Sequence, residues 1–302
     1  MSRNYGLGTR SMGDAGRIAM QNTNSSLSTI SDVGTRFQQF AEFAKENGIG
    51  RMERVTSELV IEYGKGLADR VDGEEIKPAT AQNLLSAVNS VMKSATDGAW
   101  RTVSPTKDCS IANRDNVRSE STVTREHSTP AIASLSERQA AIAGMCRELG
   151  LRSKEACLIN AKTALNQAIS KGKIIVVDGT KGGRSRQVPI HSNRQIQALK
   201  EAAIVQDKDR SMIPPEQSWK QFQAGELRDA RESLQAATGH GLHELRSAYA
   251  CERYTAITGH EAPCNGGQIA DKSKDLEARQ QIASELGHGR IDVTTSYLGG
   301  RS

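Results

Sequence analysis

Gly241-Leu242-His243-Glu244-Leu245-Arg246-Ser247-Ala248-Tyr249, followed by Glu285-Leu286-Gly287-His288 and then Val293-Thr294-Thr295-Ser296-Tyr297, decides how the rest of the chain is read. Leu242, Leu245 and Tyr249 recur at helical spacing, so His243 and Arg246 share one helix face. An imidazole and a guanidinium so placed form a grip for one phosphate. Leu276, Ala283 and Leu286 mark a second helix, and Gly287 is a natural left-handed residue just past its end. His288 then opens a loop and is free to point into a cleft. Tyr297 follows a polar, β-branched run, an unpromising place for a core tyrosine.

Upstream, Leu149-Gly150-Leu151-Arg152-Ser153-Lys154-Glu155 places Arg152 in a turn between two helices, because Gly150 ends the first of them. Lys173-Ile174-Ile175-Val176-Val177 and Arg186-Gln187-Val188-Pro189-Ile190 read as strands joined by a Gly-rich turn, one hairpin with Lys181 at its tip. Read singly, a His and Arg three apart are a surface pair, Leu-Gly-His a helix stop and Lys-Gly-Gly-Arg a solvated turn. Their order is what carries information.

HxxR, then LGH, then a tyrosine nine residues after that histidine resembles the tyrosine recombinase (phage integrase) family, which includes Cre and the Xer recombinases. Residues 149–155 look like that family's first arginine box, with Glu155 at its acidic position, and residues 177–190 look like its lysine hairpin. The resemblance implies a mainly α fold with a small β-hairpin: an N-terminal helical core-binding (SAM-like) domain and a mixed α/β catalytic domain. It also implies a site-specific DNA recombinase that cleaves and rejoins strands through a 3′-phosphotyrosyl intermediate, without metal, ATP or other cofactor, for integration or excision of a mobile element. Double-stranded DNA, a tetrameric synapse of identical protomers and accessory DNA-bending or directionality factors are the implied partners. A non-catalytic DNA-binding regulator of the same fold, and a type IB topoisomerase or resolvase-like enzyme, are the competing readings.

The chemistry suits the residue types. A phosphodiester repels nucleophiles and has a poor leaving group, so a metal-free solution needs fixed cations on its oxygens, a placed nucleophile and a proton donor. Arg152 and Arg246 offer permanently charged planar forks. His243 and His288 donate to the phosphate, with His243 expected to accept the proton of Tyr297, the nucleophile. By resemblance Lys181 is the general acid for the departing 5′ oxygen. Glu155 is expected to buttress the cations.

At 302 residues the chain can hold two domains, and 36% hydrophobic and 4% aromatic content suits a helical protein with a wide wet surface. The net charge of +5 is compatible with phosphate contacts and too small to argue for them alone. Cys109, Cys146, Cys157, Cys251 and Cys264 include no CxxC pair and are odd in number, which points to a reducing cytoplasm and, with the family, to a bacterial, nucleoid-associated protein. No apolar run suggests a membrane span or a signal segment, so no membrane partner is expected.

Residues 1–26, rich in Gly, Ser, Asn and Arg, read as a flexible N-terminal arm. Residues 27–105 read as a compact helical bundle, with Val33, Phe37, Phe40 and Ala44 on a first helix, Thr56 capping a second, and Leu84, Leu85, Val88, Val91 and Met92 on a third; the resemblance implies that this bundle is the core-binding DNA-clamp domain. Residues 106–133 lose periodicity and read as a linker with a Thr129-Pro130 break. The catalytic domain, 134–302, opens on a Ser134-x-x-Glu137 capping box. Ser192-x-x-Gln195 starts a later helix, and Trp219 and Phe222 sit on another. Residues 263–275 read as a polar surface insert. Few residues follow Tyr297, so contacts that several relatives make through a C-terminal helix are expected to use other surfaces here or to be weaker.

Overall fold

The computed structural model describes residues 3–301, which divide into two compact units between Asp115 and Asn116. Among the described residues the first unit has four α-helices, α1 (Met12–Gln21), α2 (Leu27–Glu46), α3 (Ser57–Asp72) and α4 (Pro78–Ala95), besides two 3-10 turns. Their starts follow the local chemistry. The Ser11, Ser26 and Thr56 side chains each accept an amide of the first turn, and Pro78, which has no N–H to leave unpaired, opens α4. Phe37, Phe40, Val60, Leu85 and Met92 fill the core, each phenylalanine contributing about 2 to 3 kcal/mol by burial.

This unit corrects two expectations. Of the arm expected over 1–26, residues 1 and 2 lie outside the described residues, as does Ser302, but residues 12–21 are helical and bury Met12, Ala15, Ala19 and Met20. Its glycines serve packing: a Cβ on Gly16 would lie 2.2 Å from the Phe37 ring. The first part of the expected linker is core as well. Cys109 and Ile111 are buried, and Cys109 occupies the space where a Gly64 side chain would stand.

The second unit holds α5 (Arg125–Ala133), α6 (Glu137–Leu149), α7 (Ser153–Leu158), α8 (Ala161–Lys171), β1 (Lys173–Val176), β2 (Arg186–Pro189), α9 (Asn193–Gln206), α10 (Trp219–Ala224), α11 (Glu226–Thr238), α12 (Leu242–Thr258), α13 (Lys272–Glu285) and α14 (Thr295–Leu298). It begins before the expected boundary at 134, and Pro130 lies inside α5 instead of breaking the chain. The capping box of α6 is Ser136 with Gln139; Ser134 instead ends α5. α6 is the central helix, packed on α9 and α12, and burying Ile142, Met145, Cys146 and Leu149. β1 and β2 are antiparallel, Lys173 opposite Pro189 and Val176 opposite Arg186. Ile174, Val176, Arg186 and Val188 alternate inward, so one arginine occupies an inward position of the hairpin. The expected polar insert is partly core: Pro263–Asn265 form a 3-10 turn that buries Cys264. All five cysteines are free and buried.

Candidate active site

Helix ends deliver the side chains. Gly150, at φ +60°, terminates α6 and turns the chain so that Arg152 caps α7. Gly287, at φ +68°, terminates α13 in a Schellman arrangement: its amide donates to the Ser284 carbonyl and that of His288 to the Ala283 carbonyl, 2.7 Å away. His288 therefore leaves the helix in a fixed direction. His243 and Arg246 lie in the first turns of α12, and α14 supplies Tyr297.

These side chains converge. Tyr297 is 5% exposed, and its hydroxyl lies 3.2 Å from His288 Nε2. The His243 ring stacks beside the tyrosine ring, centroids 5.8 Å apart and planes inclined by 19°. The Arg246 guanidinium stands over the same ring at 5.8 Å. Arg246 is 1% exposed, and its Nη atoms donate to the main-chain carbonyls of Gly150 and Leu286, tying together the two turns that carry Arg152 and His288. Glu155, fully buried, accepts from the Arg152 amide at 2.7 Å and from Arg152 Nη1 at 2.8 Å.

The expected proton acceptor for Tyr297 was His243. The imidazole in hydrogen-bond reach of the hydroxyl is instead His288, because His243 meets the ring face and not the oxygen. Lys181 is exposed, in a 3-10 turn (Lys181–Gly183) of the β1–β2 connection, where Gly182 takes φ +76°. No ion pair among the described residues holds it, yet its charge acts on His288.

The cluster is cationic, and its electrostatics follow from that. Desolvation, then Arg246, Arg152, Arg186 and Lys181, bring His288 down to about 4, so its ring is neutral near pH 7. His243 is lowered by desolvation and by Arg246 and Arg152. Burial lowers even Arg246 to about 10, which still leaves it charged. Burial alone would raise Glu155; its bonds from Arg186 and Arg152 outweigh that and hold it below the ordinary carboxylate value.

Three residues in this framework lay outside the residue-by-residue expectations. Arg186 makes a bidentate pair with Glu155, at 2.5 and 2.7 Å. Glu285, at the end of α13, accepts from the Tyr249 hydroxyl at 2.7 Å and from Arg253 at 2.9 and 3.0 Å. Arg118 grips Glu244 beside His243, and its amide donates to the Thr295 carbonyl at the start of α14. Only Arg186 had a local signal, its inward place in the strand alternation. The Cys251 and Cys264 thiols, 3.5 Å apart, both lie on the Tyr297 carbonyl and pack α14 onto α12.

The sequence model of the integrase family matches residues 118–252. No curated protein sequence matches the chain. Among solved structures, XerH site-specific recombinase bound to palindromic difH substrate in a post-cleavage complex is similar over 96% of this chain and 82% of its own, with TM-score 0.63 and 14% identity. The Tn1549 transposon integrase in complex with transposon right end DNA covers 96% and 95%, with TM-score 0.60 and 12% identity. A lambda integrase tetramer bound to a Holliday junction covers 95% and 76%, with TM-score 0.59 and 15% identity. Residues 118–252 thus match the integrase family's sequence model, and the chain has the fold of these recombinases and integrases.

Proposed function

We propose that this recombinase cleaves and rejoins double-stranded DNA through a 3′-phosphotyrosyl intermediate at Tyr297, in the integration or excision of a mobile element. The observation that carries the reading is the Tyr297 hydroxyl held 3.2 Å from a neutral His288 amid three guanidiniums. Arg152 and Arg246 receive the non-bridging oxygens of the scissile phosphate, with His243 at the rim as a further donor. The tyrosine oxygen attacks phosphorus; its proton passes to His288 Nε2; the bond from phosphorus to the 5′ oxygen breaks; Lys181 gives that oxygen a proton. Reversal with a 5′ hydroxyl from a second duplex exchanges strands, and because one ester replaces another, no external energy source is required. The tetramer formed by lambda integrase on its junction supports a four-protomer synapse here.

The test is a pool of nicked duplexes tiling the genomic DNA that flanks the protein's own gene, incubated in EDTA with wild type or Tyr297→Phe and run on denaturing gels. A covalent protein–DNA band from wild type only is the expected result. DNA binding without that band, or a band that persists with Tyr297→Phe, overturns the reading.

A further inference from the structure

We propose that Arg186 is a positioning residue for strand cleavage: by satisfying the Glu155 carboxylate it keeps the Arg152 and Arg246 guanidiniums available to the substrate phosphate, and it locks the Lys181 hairpin to the His288 loop. The proposal rests on the strand-cleavage reading of this site.

A carboxylate has about four acceptor positions. At Glu155 the Arg152 amide and Nη1 fill two of them, and Arg186 Nη1 and Nη2 fill the others. Arg246 Nη1, 3.8 Å from the same carboxylate, is left outside this set and donates to main chain instead. A buried carboxylate lacking Arg186 would be short of partners, and the nearest donors are the two guanidiniums that the phosphate needs. Arg186 thus supplies a third cation to one anion, so the cluster retains the net positive charge that meets the DNA.

Its remaining contacts are to the other catalytic segments. Arg186 Nε donates to the Glu285 carbonyl at 2.8 Å, and its Cδ lies 2.7 Å from where a Gly287 Cβ would stand. The Glu285 side chain is in turn anchored to α12 through Tyr249 and Arg253. One 4% exposed side chain on β2 therefore touches Glu155 of the first arginine box and the turn that aims His288, and its own backbone continues the strand from the Lys181 turn. Lysine in its place would keep the charge and lose the fork, which makes the exchange far from conservative.

The experiment compares wild type, Arg186→Lys, Arg186→Met, and each combined with Glu155→Gln. Single-turnover cleavage of the nicked duplex that wild type cuts is read beside binding to it and thermal melting. Arg186→Lys and Arg186→Met are expected to slow cleavage on the order of tenfold to a hundredfold, with binding unchanged within about two-fold. Adding Glu155→Gln, which removes the anion that would capture Arg152 and Arg246, is expected to restore much of the rate. A merely structural role predicts losses that deepen in the double variants. Cleavage at the wild-type rate, a loss that follows binding, or the absence of rescue by Glu155→Gln overturns the proposal. If Arg186→Met fails to fold, the lysine pair decides alone. If wild type itself forms no covalent complex, the strand-cleavage reading has failed instead.

Discussion

Gly150 and Gly172 both end helices in the left-handed region, at φ +60° and +61°, yet their surroundings differ. A Cβ on Gly150 would lie 2.4 Å from Tyr249 Cδ1 and 3.1 Å from Leu286 Cδ2, while one on Gly172 would meet nothing within 4 Å. Gly172→Ala should therefore cost only the left-handed strain, about 1 kcal/mol after the unfolded chain's lost freedom is offset. Gly150→Ala adds overpacking against two buried side chains, roughly 1 to 3 kcal/mol more. In calorimetry of the full chain, a unit of this size should melt about 2 to 4 °C lower for each kcal/mol lost, so the Gly150 variant should fall well below the Gly172 variant. The function should divide more sharply. The Gly150 carbonyl accepts from Arg246, so shifting it displaces the guanidinium proposed to hold the phosphate, whereas Gly172 lies at the far end of α8, before the hairpin. Covalent-complex formation should drop severalfold or more with Gly150→Ala and hold with Gly172→Ala. Equal melting losses in the two variants, or undiminished cleavage by Gly150→Ala, would refute the packing argument.

Other consequences are equally checkable. His288 is held neutral down to about 4 against an ordinary value near 6.5, so the unfolded chain binds the proton first and stability falls as pH drops through that window; His288→Gln should flatten this part of a melting-temperature profile. Cleavage should decline in the same direction as the imidazole loses its capacity to accept the tyrosine proton, with the bound phosphate moving that limb to higher pH. Lys181→Ala, in an exposed turn, should alter stability by less than about 0.5 kcal/mol while slowing cleavage, and a 5′-bridging phosphorothiolate, whose leaving group needs no proton, should restore the rate. Arg118→Ala should cost about 2 kcal/mol, because the half-enclosed Glu244 loses a bidentate partner at 2.6 and 3.1 Å; urea unfolding measures it.

Features that local chemistry dictates were legible in the sequence. The glycine stops before Arg152 and His288, the histidine and arginine sharing the start of α12, and the strand alternation around Lys181 each require a few adjacent residues; of these side chains His243, Arg246 and His288 meet Tyr297, Arg152 pairs with Glu155, and Lys181 stands exposed in its turn. What escaped depends on contacts distant in sequence. Gly13 and Gly16 suggested a flexible arm, although they are small because Gln38 and Phe37 press on them. Cys109 and Ile111 lack periodicity, so nothing local shows that they fill the first core. Which histidine meets the tyrosine oxygen depends on how α13 and α14 pack, and the Arg186–Glu155 pair spans two segments. Sequence patterns placed the cations near one another; packing decided which of them face the Tyr297 side chain and which hold the carboxylate.

Tryptic mass spectrometry of the trapped protein–DNA complex, after nuclease trimming, identifies the nucleophile. Cleavage after Arg290 and Arg301 isolates residues 291–301, which contain a single tyrosine. A nucleotide phosphate on Tyr297 in that peptide is the expected result from the wild-type complex. An adduct on Thr294, Thr295 or Ser296, or on a peptide carrying Tyr249 or Tyr254, would contradict it.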